Sequence, residues 1–327
     1  MVLDREIVAN ETALSSERYA VSHTPLWRIR LRLAWRGLRH NLSLFAENRV
    51  GLIGAAIIVL LALMALAHPI LMSTAWDPRI YDPIVGYDYG AVEQPAPPSA
   101  AHPLGTDPLG RDVLSQLMFS TASEFALGVV AALVTVLIAT SVGALSAYLG
   151  GAVDTFFMRL ADIIIMTPGI TILIVLAALF ELDLMSLAVV LGLLGGFGAT
   201  AIIIKSQALT IKVRPYIDAA RVAGGGHAHI ILRHIVPNLL PLSFLYMMFT
   251  VTTAIFSEAA LSFFGLLNVR MSWGLMIYTA STAGYLLDPD TWWLILPAGL
   301  SITLLCSAFY LVGRALDEVV NPRLRKR

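Results

Sequence analysis

Three histidines stand within the polar stretch YIDAARVAGGGHAHIILRHIVPN, which runs from Tyr216 to Asn238. Imidazole rings at His227, His229 and His234 suit metal binding. A metal site needs three or four ligands in a fixed geometry, and no cysteine or paired carboxylate accompanies these histidines. We therefore predict no metal site here. The many small residues of the stretch indicate instead a surface that another molecule approaches.

A second group with possible chemistry consists of charged residues that border or enter long apolar stretches: Glu124, Arg159, Asp162 and Glu258. Arg159 and Asp162 are three residues apart and are predicted to pair on one helix. Glu258 is the candidate for a gate or for contact with a cationic group, near Trp273 and Asp288. These residues do not form a series of carboxylates spaced to carry protons across a bilayer.

Enzymatic motifs are missing from the sequence. It has no HExxH, no GxxxxGK[ST] and no Ser/His pair placed for nucleophilic catalysis. The glycine-rich run LLGGFGAT (193–200) follows no strand, so it is not interpreted as a phosphate loop. The single cysteine, Cys306, is interpreted as a packing residue. We predict no catalytic residue, no cofactor bound by this chain and no nucleic-acid partner.

Composition indicates an integral membrane protein. Hydrophobic residues make up 57% of the 327 residues, charged residues only 13%, and the mean hydropathy is +0.77. A helix crosses the hydrocarbon core in about 20 residues. Six windows without Asp, Glu, Lys or Arg predict six transmembrane helices in an all-α fold: 50–76, 125–153, 163–180, 184–204, 234–257 and 291–313. Glycine faces at Gly143, Gly192 and Gly196 predict close helix packing.

Basic residues predict the orientation in a cell membrane. If the N-terminus is cytoplasmic, 19 of the 22 Lys and Arg residues fall on the inner side, and only Arg79, Arg111 and Arg270 fall outside. Both termini are therefore predicted to be cytoplasmic, in a bacterial-type inner membrane. Within the N-terminal segment 1–48, residues 26–42 have the pattern of a basic amphipathic helix that lies on anionic lipid.

The remaining boundaries follow from these windows: a first helix at 49–72, an extracytoplasmic loop at 73–119, a domain of five helices at 120–316 and a basic tail at 317–327. The loop carries seven of the sixteen prolines and is predicted to be irregular. A loop of this length is usually functional.

Within the opening stretch, Pro215 suits the first turn of a helix and Asp218 suits its dipole. Gly224, Gly225 and Gly226 are predicted to end that helix. Two interpretations are open from the residues alone. The short helix docks in a groove of a partner protein, or it lies on the membrane as an ordinary loop helix.

The stretch resembles the EAA loop of ABC importer permeases. The matching positions in the loop 212–237 are Asp218, where the pattern has Glu, then Ala219, Ala220, Gly224 and Pro237. HPLGTDPLGRDVLSQL, DTFFMRLADIIIMTP, EAALSFFGL, SWGLM and WWLILPAGLSITLL are similar to the C-type permease subunit of dipeptide and oligopeptide importers, and this resemblance runs from about Arg49 to the C-terminus.

The resemblance implies a type I importer fold and a division of labour. A second homologous permease would complete the pathway, two ATPase subunits would bind ATP and Mg, and an extracytoplasmic binding protein would deliver a peptide. The implied ATPase-coupling residues are Tyr216, Asp218, Ala219, Ala220, Arg221, Gly224, His234 and Pro237. The implied docking residues in the loop are Gly105, Thr106, Asp107, Gly110, Arg111 and Asp112. Nickel chelates or glutathione are alternative cargoes, and a standalone secondary transporter is the alternative of a different class.

Overall fold

The computed structural model describes Trp35, Gly37, Arg39, residues 42–90 and residues 93–320. This part of the chain contains helices and no β-strand, apart from one antiparallel bridge between Thr106 and Asp112. The all-α prediction is therefore confirmed for the described residues.

The described residues fall into two units, one that ends at Glu47 and one that begins at Asn48. In the first unit, Trp35, Gly37, Arg39 and residues 42–47 are helical. The other residues of the predicted basic helix at 26–42 lie outside the described residues, and so does most of the predicted basic tail, from residue 321 onward.

The second unit consists of helices that differ greatly in length. They are α1 (Arg49–Thr74), α2 (Pro78–Tyr81), α3 (Val113–Leu149), α4 (Gly151–Met166), α5 (Gly169–Leu179), α6 (Leu184–Phe197), α7 (Ala199–Lys212), α8 (Pro215–Val222), α9 (His227–Phe263), α10 (Trp273–Thr282) and α11 (Leu296–Val320). The helix α9 is continuous through a π-helical turn at Ile231–Ile235, and a 3₁₀ helix at Pro289–Leu294 precedes α11.

Four of these helices, α1, α3, α9 and α11, are long and apolar enough to cross a membrane. The pairs α4–α5 and α6–α7 pass the same test only when each pair is taken together. Counting each pair as one span gives up to six spans. The number of six and the cytoplasmic termini stay predictions.

The prediction of one unbroken helix in the window 163–180 is wrong. The axes of α4 and α5 meet at 87°, with the break at Thr167 and Pro168. Proline lacks a backbone N–H and disfavours helical geometry in the residue before it, so Pro168 ends α4. The window 184–204 also bends, by 41° at Gly198.

The end of the predicted loop 73–119 is already helical, and the position of the loop outside the membrane stays a prediction. The helix α3 begins at Val113, because the Asp112 side chain accepts a hydrogen bond from the Ser115 N–H at 2.6 Å and caps the helix. α3 then extends over 37 residues to Leu149.

The helix α3 lies at the centre of the second unit, where it packs against α6, α7 and α9. A Cβ atom added at Gly192 would lie 2.5 Å from Val134 Cβ, and one added at Gly143 would lie 2.8 Å from Ile204. The predicted close packing at these glycines is thus confirmed. On the other side, the hydroxyls of Thr140 and Ser243 lie 2.7 Å apart.

These pairings divide the second unit into two ends. The helices α6 and α7 run parallel to α3, whereas α1 and α9 run the other way. Residues 149–151, 212–230 and 314–320 therefore share one end, which we call the α8 end. Residues 74–112, 180–184 and 264–295 share the opposite end, which we call the loop end.

Candidate functional site

The helix α8 forms where the sequence predicts it. Pro215 occupies the first turn and Asp218 lies in that turn, where a carboxylate complements the helix dipole. The helix ends at Val222. Gly224 follows with a φ angle of +86°, a conformation that favours glycine, and this confirms the predicted end.

One side chain anchors α8 to the bundle. Ile217 is fully buried and packs in a cluster with Ile204, Ile230 and Ile235. Burying such a side chain contributes about 2–3 kcal/mol. The rest of α8 is thereby held in a fixed position at the surface.

The outward face of α8 is exposed. Val222 is 90% exposed and Tyr216 44%, and Ala219 is exposed between them. Arg221 pairs with Asp218 at 2.9 Å, and its guanidinium lies 5.4 Å from the ring centre of Tyr148 on α3. α8 thus presents small and apolar side chains with one internal ion pair.

The structure brings most of the predicted coupling residues together. Tyr216, Asp218, Ala219, Ala220, Arg221 and Gly224 lie on or directly after α8. His234 on α9 lies beside them, with its ring 6.4 Å from the Tyr216 ring. Pro237 is exposed one turn further along α9, away from α8. The coupling role of this group stays a prediction.

The histidines of the stretch make ring contacts. The rings of His229 and His234 lie 5.5 Å apart, and His227 meets the Tyr148 ring at the same separation. No group of three His, Cys, Asp or Glu residues is placed to hold a metal within the described ranges.

Asp107 organises the loop end. Its Oδ1 atom accepts hydrogen bonds from the N–H groups of Leu109 and Arg111 at 2.9 and 2.8 Å. Its Oδ2 atom accepts from Arg111 Nε at 2.7 Å and from Gln116 Nε2 at 2.9 Å. Asp107 is 5% exposed, so these bonds form inside the protein and fix the turn that leads into α3.

Sequence reasoning missed a second buried group at this end. His102 lies between two carboxylates, with Nδ1 2.8 Å from Asp112 and Nε2 3.1 Å from Asp88. Burial raises the pKa of Asp112, and the Gly90 N–H together with His102 lowers the pKa of Asp88. Only the folded path of an irregular loop brings these residues together, so no local sequence pattern indicates the group.

The predicted docking residues in the loop point largely inward. Thr106, Asp107 and Asp112 are each at most 5% exposed, Gly105 and Gly110 are buried, and Arg111 is partly buried. Exposed apolar side chains of the loop include Tyr89, which is 92% exposed, Val85, which is 78% exposed, and Leu109, which lies within the turn at Asp107 and is 59% exposed. The docking role of these six residues stays a prediction.

A cavity of about 410 Å³ opens between α4–α5, α6–α7 and α9. Most of its lining is apolar. The hydroxyl-bearing residues of the lining are Thr200 on α7 and four residues on one face of α9, at spacings of three and four: Tyr246, Thr250, Thr253 and Ser257. The three smaller hydroxyls on α9 bond to carbonyls one turn earlier in the helix, and Thr253 is exposed.

Glu258 follows directly after this polar face but points elsewhere. It is fully buried and accepts a hydrogen bond from Ser262 at 2.5 Å. Glu124 on α3 is also fully buried and lies within hydrogen-bonding reach of Glu258. Trp273 is next to this pair, as the sequence suggested. The gate role of Glu258 stays a prediction. Arg159 and Asp162 pair at 3.3 Å as predicted, on an exposed surface.

Comparison with known proteins agrees with this architecture. Residues 139–326 match the family described as "binding-protein-dependent transport system inner membrane component". The chain is 32% identical to the oligopeptide transport system permease protein OppC of Bacillus subtilis, over 86% of this chain and 88% of that protein.

Two further relatives are similar over nearly their whole length. The dipeptide transport system permease protein DppC of Bacillus subtilis is 31% identical over 99% of this chain and 93% of its own. The protein OppC of Escherichia coli is 32% identical over 90% of this chain and 93% of its own. These matches confirm the resemblance on which the sequence interpretation rests. With its long apolar helices, the chain belongs to the family of binding-protein-dependent transport system inner membrane components and is a multi-pass membrane protein.

Proposed function

We propose that this chain is one of two permease subunits of an ATP-driven importer, and that the two line a pathway for dipeptides or oligopeptides. The relatives named as oligopeptide and dipeptide permeases support this cargo. Nickel chelates and glutathione are the alternative cargoes within the same class.

The observation that carries the proposal is the exposed helix α8, anchored by the buried Ile217 and presenting Ala219 and Val222 outward. Small residues allow another backbone to approach closely, and a helix that docks in a groove transmits force. An ATPase subunit would hold α8 in such a groove. Two ATPase subunits would carry ATP and Mg, and closure of the ATPases would push on α8.

The basic residues support an orientation in the membrane. Lys212, Arg214, Arg221 and Arg314 lie at the α8 end, which would therefore face the cytoplasm. The loop end would then face outward and receive a binding protein. The exposed Tyr89, Val85 and Leu109 support a contact surface on the loop.

The cavity between α4–α5, α6–α7 and α9 supports a pathway on that side of the chain. Hydroxyls in a transmembrane helix favour a water-filled or protein-covered surface over lipid. The face with Tyr246, Thr250, Thr253 and Ser257 would therefore contact the cargo. The smaller hydroxyls of this face already donate hydrogen bonds to backbone carbonyls. Their contacts with a peptide would therefore be weak, which suits a cargo of varied sequence.

The first experiment is a mild-detergent purification of the tagged chain from its native membranes, with mass spectrometry of the proteins that accompany it. We expect a second permease and ATPase subunits. Ala219→Trp adds bulk on the exposed face of α8 without changing the backbone, so it is expected to release the ATPase subunits and keep the second permease.

Leu63→Trp, at an exposed position of α1, is the matched control and is expected to change nothing. Retention of the ATPase subunits by Ala219→Trp would contradict docking on α8. A chain that purifies alone and moves substrate in vesicles without ATP would favour the standalone secondary transporter.

A further inference from the structure

Two carboxyl groups meet inside the membrane-spanning part of the chain. Glu124 on α3 and Glu258 on α9 are both fully buried and lie within hydrogen-bonding reach of each other. We call them the carboxyl pair. They are 134 positions apart in the sequence, so only the packing of α3 against α9 brings them together.

The carboxyl pair has few hydrogen-bond donors. Ser262 donates to Oε1 of Glu258, and the Trp273 N–H and the Ser272 hydroxyl lie close to Glu124 and Glu258, but Oε2 of Glu258 and both oxygens of Glu124 accept no hydrogen bond of normal geometry from the described residues. Ser120 is on the same face of α3, one turn before Glu124, and its hydroxyl is buried without a partner as well. The site is thus rich in acceptors and enclosed on all sides.

Two ionised carboxylates are not stable in such a place. A carboxylate only accepts hydrogen bonds, so two of them cannot bond to each other. Their charges also repel strongly where water is excluded, and paired carboxyl groups therefore retain a proton. One proton removes both difficulties, because it turns one acceptor into a donor and lowers the buried charge.

We propose that Glu124 and Glu258 form a binding site for one shared proton, held between Glu124 and the free Oε2 atom of Glu258. Ser262 donates a hydrogen bond to the other oxygen of Glu258, and Ser272 donates to Ser262 at 3.2 Å. The shared proton thereby links α3 and α9, and through the two serines also the start of α10. This site does not depend on the proposed cargo or partners.

Infrared spectroscopy tests the proposal directly. The full-length protein, with the subunits that accompany it, is reconstituted in lipid at neutral pH and examined for the carbonyl band of a protonated carboxyl group. We expect one such band, shifted by deuterium oxide. Glu124→Gln and Glu258→Gln keep the shape of the site and supply an amide donor, so each is expected to abolish the band and leave the other carboxylate ionised.

Glu181→Gln, at an exposed position between α5 and α6, is the control and is expected to leave the band unchanged. A band that persists in either variant would mean that the remaining glutamate holds a proton without its partner, and this would overturn the shared proton. Absence of the band in the wild-type protein would mean that both carboxyl groups are ionised, which would overturn the proposal as a whole. Elution of each variant as a single peak in size-exclusion chromatography would confirm that it folds.

Discussion

Asp107 at the loop end and Asp218 at the α8 end each pair with a nearby arginine, but their surroundings differ. The side chains of Asp107 and Arg111 are 7% and 12% exposed, and further hydrogen bonds surround them. The side chains of Asp218 and Arg221 are 65% and 40% exposed. The first pair fixes the shape of a buried turn, whereas water screens the second.

Glycines at the two ends show the same contrast. Gly110 has a φ angle of +81°, and a Cβ atom there would lie 2.4 Å from the Tyr87 ring. Gly224 has a similar φ angle of +86°, but a Cβ atom there would meet nothing within 4 Å. Both glycines adopt a left-handed backbone conformation that other residues disfavour. Only at Gly110 does the packing also leave no room for a side chain.

The comparison shows that the turn at Asp107 is satisfied by contacts within this chain, whereas the outward face of α8 makes no such contacts with the described part of the chain. Polar groups of the loop end bond to one another and are shielded. At the α8 end, ordered small side chains face open space. Substitutions that matter for folding should therefore cluster at the loop end, and those that matter only for partners should cluster on α8.

The largest effect on stability is expected for Asp107→Ala. It leaves the Leu109 and Arg111 N–H groups and the Gln116 amide without a buried acceptor, at a cost of about 3 kcal/mol. Thermal unfolding of the purified chain, followed by dye labelling of the single, partly buried Cys306, measures this loss. A melting temperature close to that of the wild type would contradict the claim that the buried contacts of Asp107 stabilise the fold more than the exposed ion pair of Asp218 does.

A smaller loss, about 2 kcal/mol, is expected for Gly110→Ala, since the new methyl group both strains the backbone and overlaps the Tyr87 ring. The same thermal assay applies. Adding Tyr87→Ala removes the overlap. The double variant should therefore lose less stability than the sum of the losses in the two single variants. Strict additivity would show that the overlap contributes nothing.

For Gly224→Ala we expect about 1 kcal/mol, because only the left-handed backbone opposes the methyl group. Gly224→Asn should cost less, since asparagine tolerates that conformation. If docking on α8 is correct, Gly224→Trp uncouples transport while the chain stays in the membrane. Normal uptake by Gly224→Trp in vesicles would argue against docking at this position.

The smallest effect on folding is expected for Asp218→Ala, below about 0.5 kcal/mol, because its ion pair is exposed. Uptake and recovery of the ATPase subunits are the sharper measurements here. A loss of uptake without a change in melting temperature would show that Asp218 acts on a partner. A clear fall in melting temperature would instead place Asp218 among the groups that hold the fold.

Local signals made some of these features predictable. Pro215 and Gly224 define the ends of α8 within a few residues, and glycines on α3 and α6 indicate close packing. Other features depend on distant residues. Nothing near His102 shows that it lies between two carboxylates, and nothing near Glu124 indicates Glu258 as its neighbour.

The bend between α4 and α5 was missed for a different reason. Pro168 lies inside a window that is apolar throughout, so hydropathy predicts one continuous helix although the proline interrupts the helix backbone. Charge and hydropathy indicate whether a segment lies in the membrane. They do not indicate whether its helical backbone hydrogen bonds are continuous. The proline itself was the signal that identifies the break.

That bend has a consequence for water. The 16 residues of α4 extend about 24 Å, less than the roughly 30 Å of a hydrocarbon core. The last carbonyls of α4 have no partner further along their own helix, because the helix ends at the break. Thr167 Oγ1 satisfies one of them, at Ile163, and the others need another source. Ile164 and Gly169, on either side of the break, line the cavity. We expect that cavity to be hydrated, so that a molecule crossing it meets mobile water more than fixed protein donors.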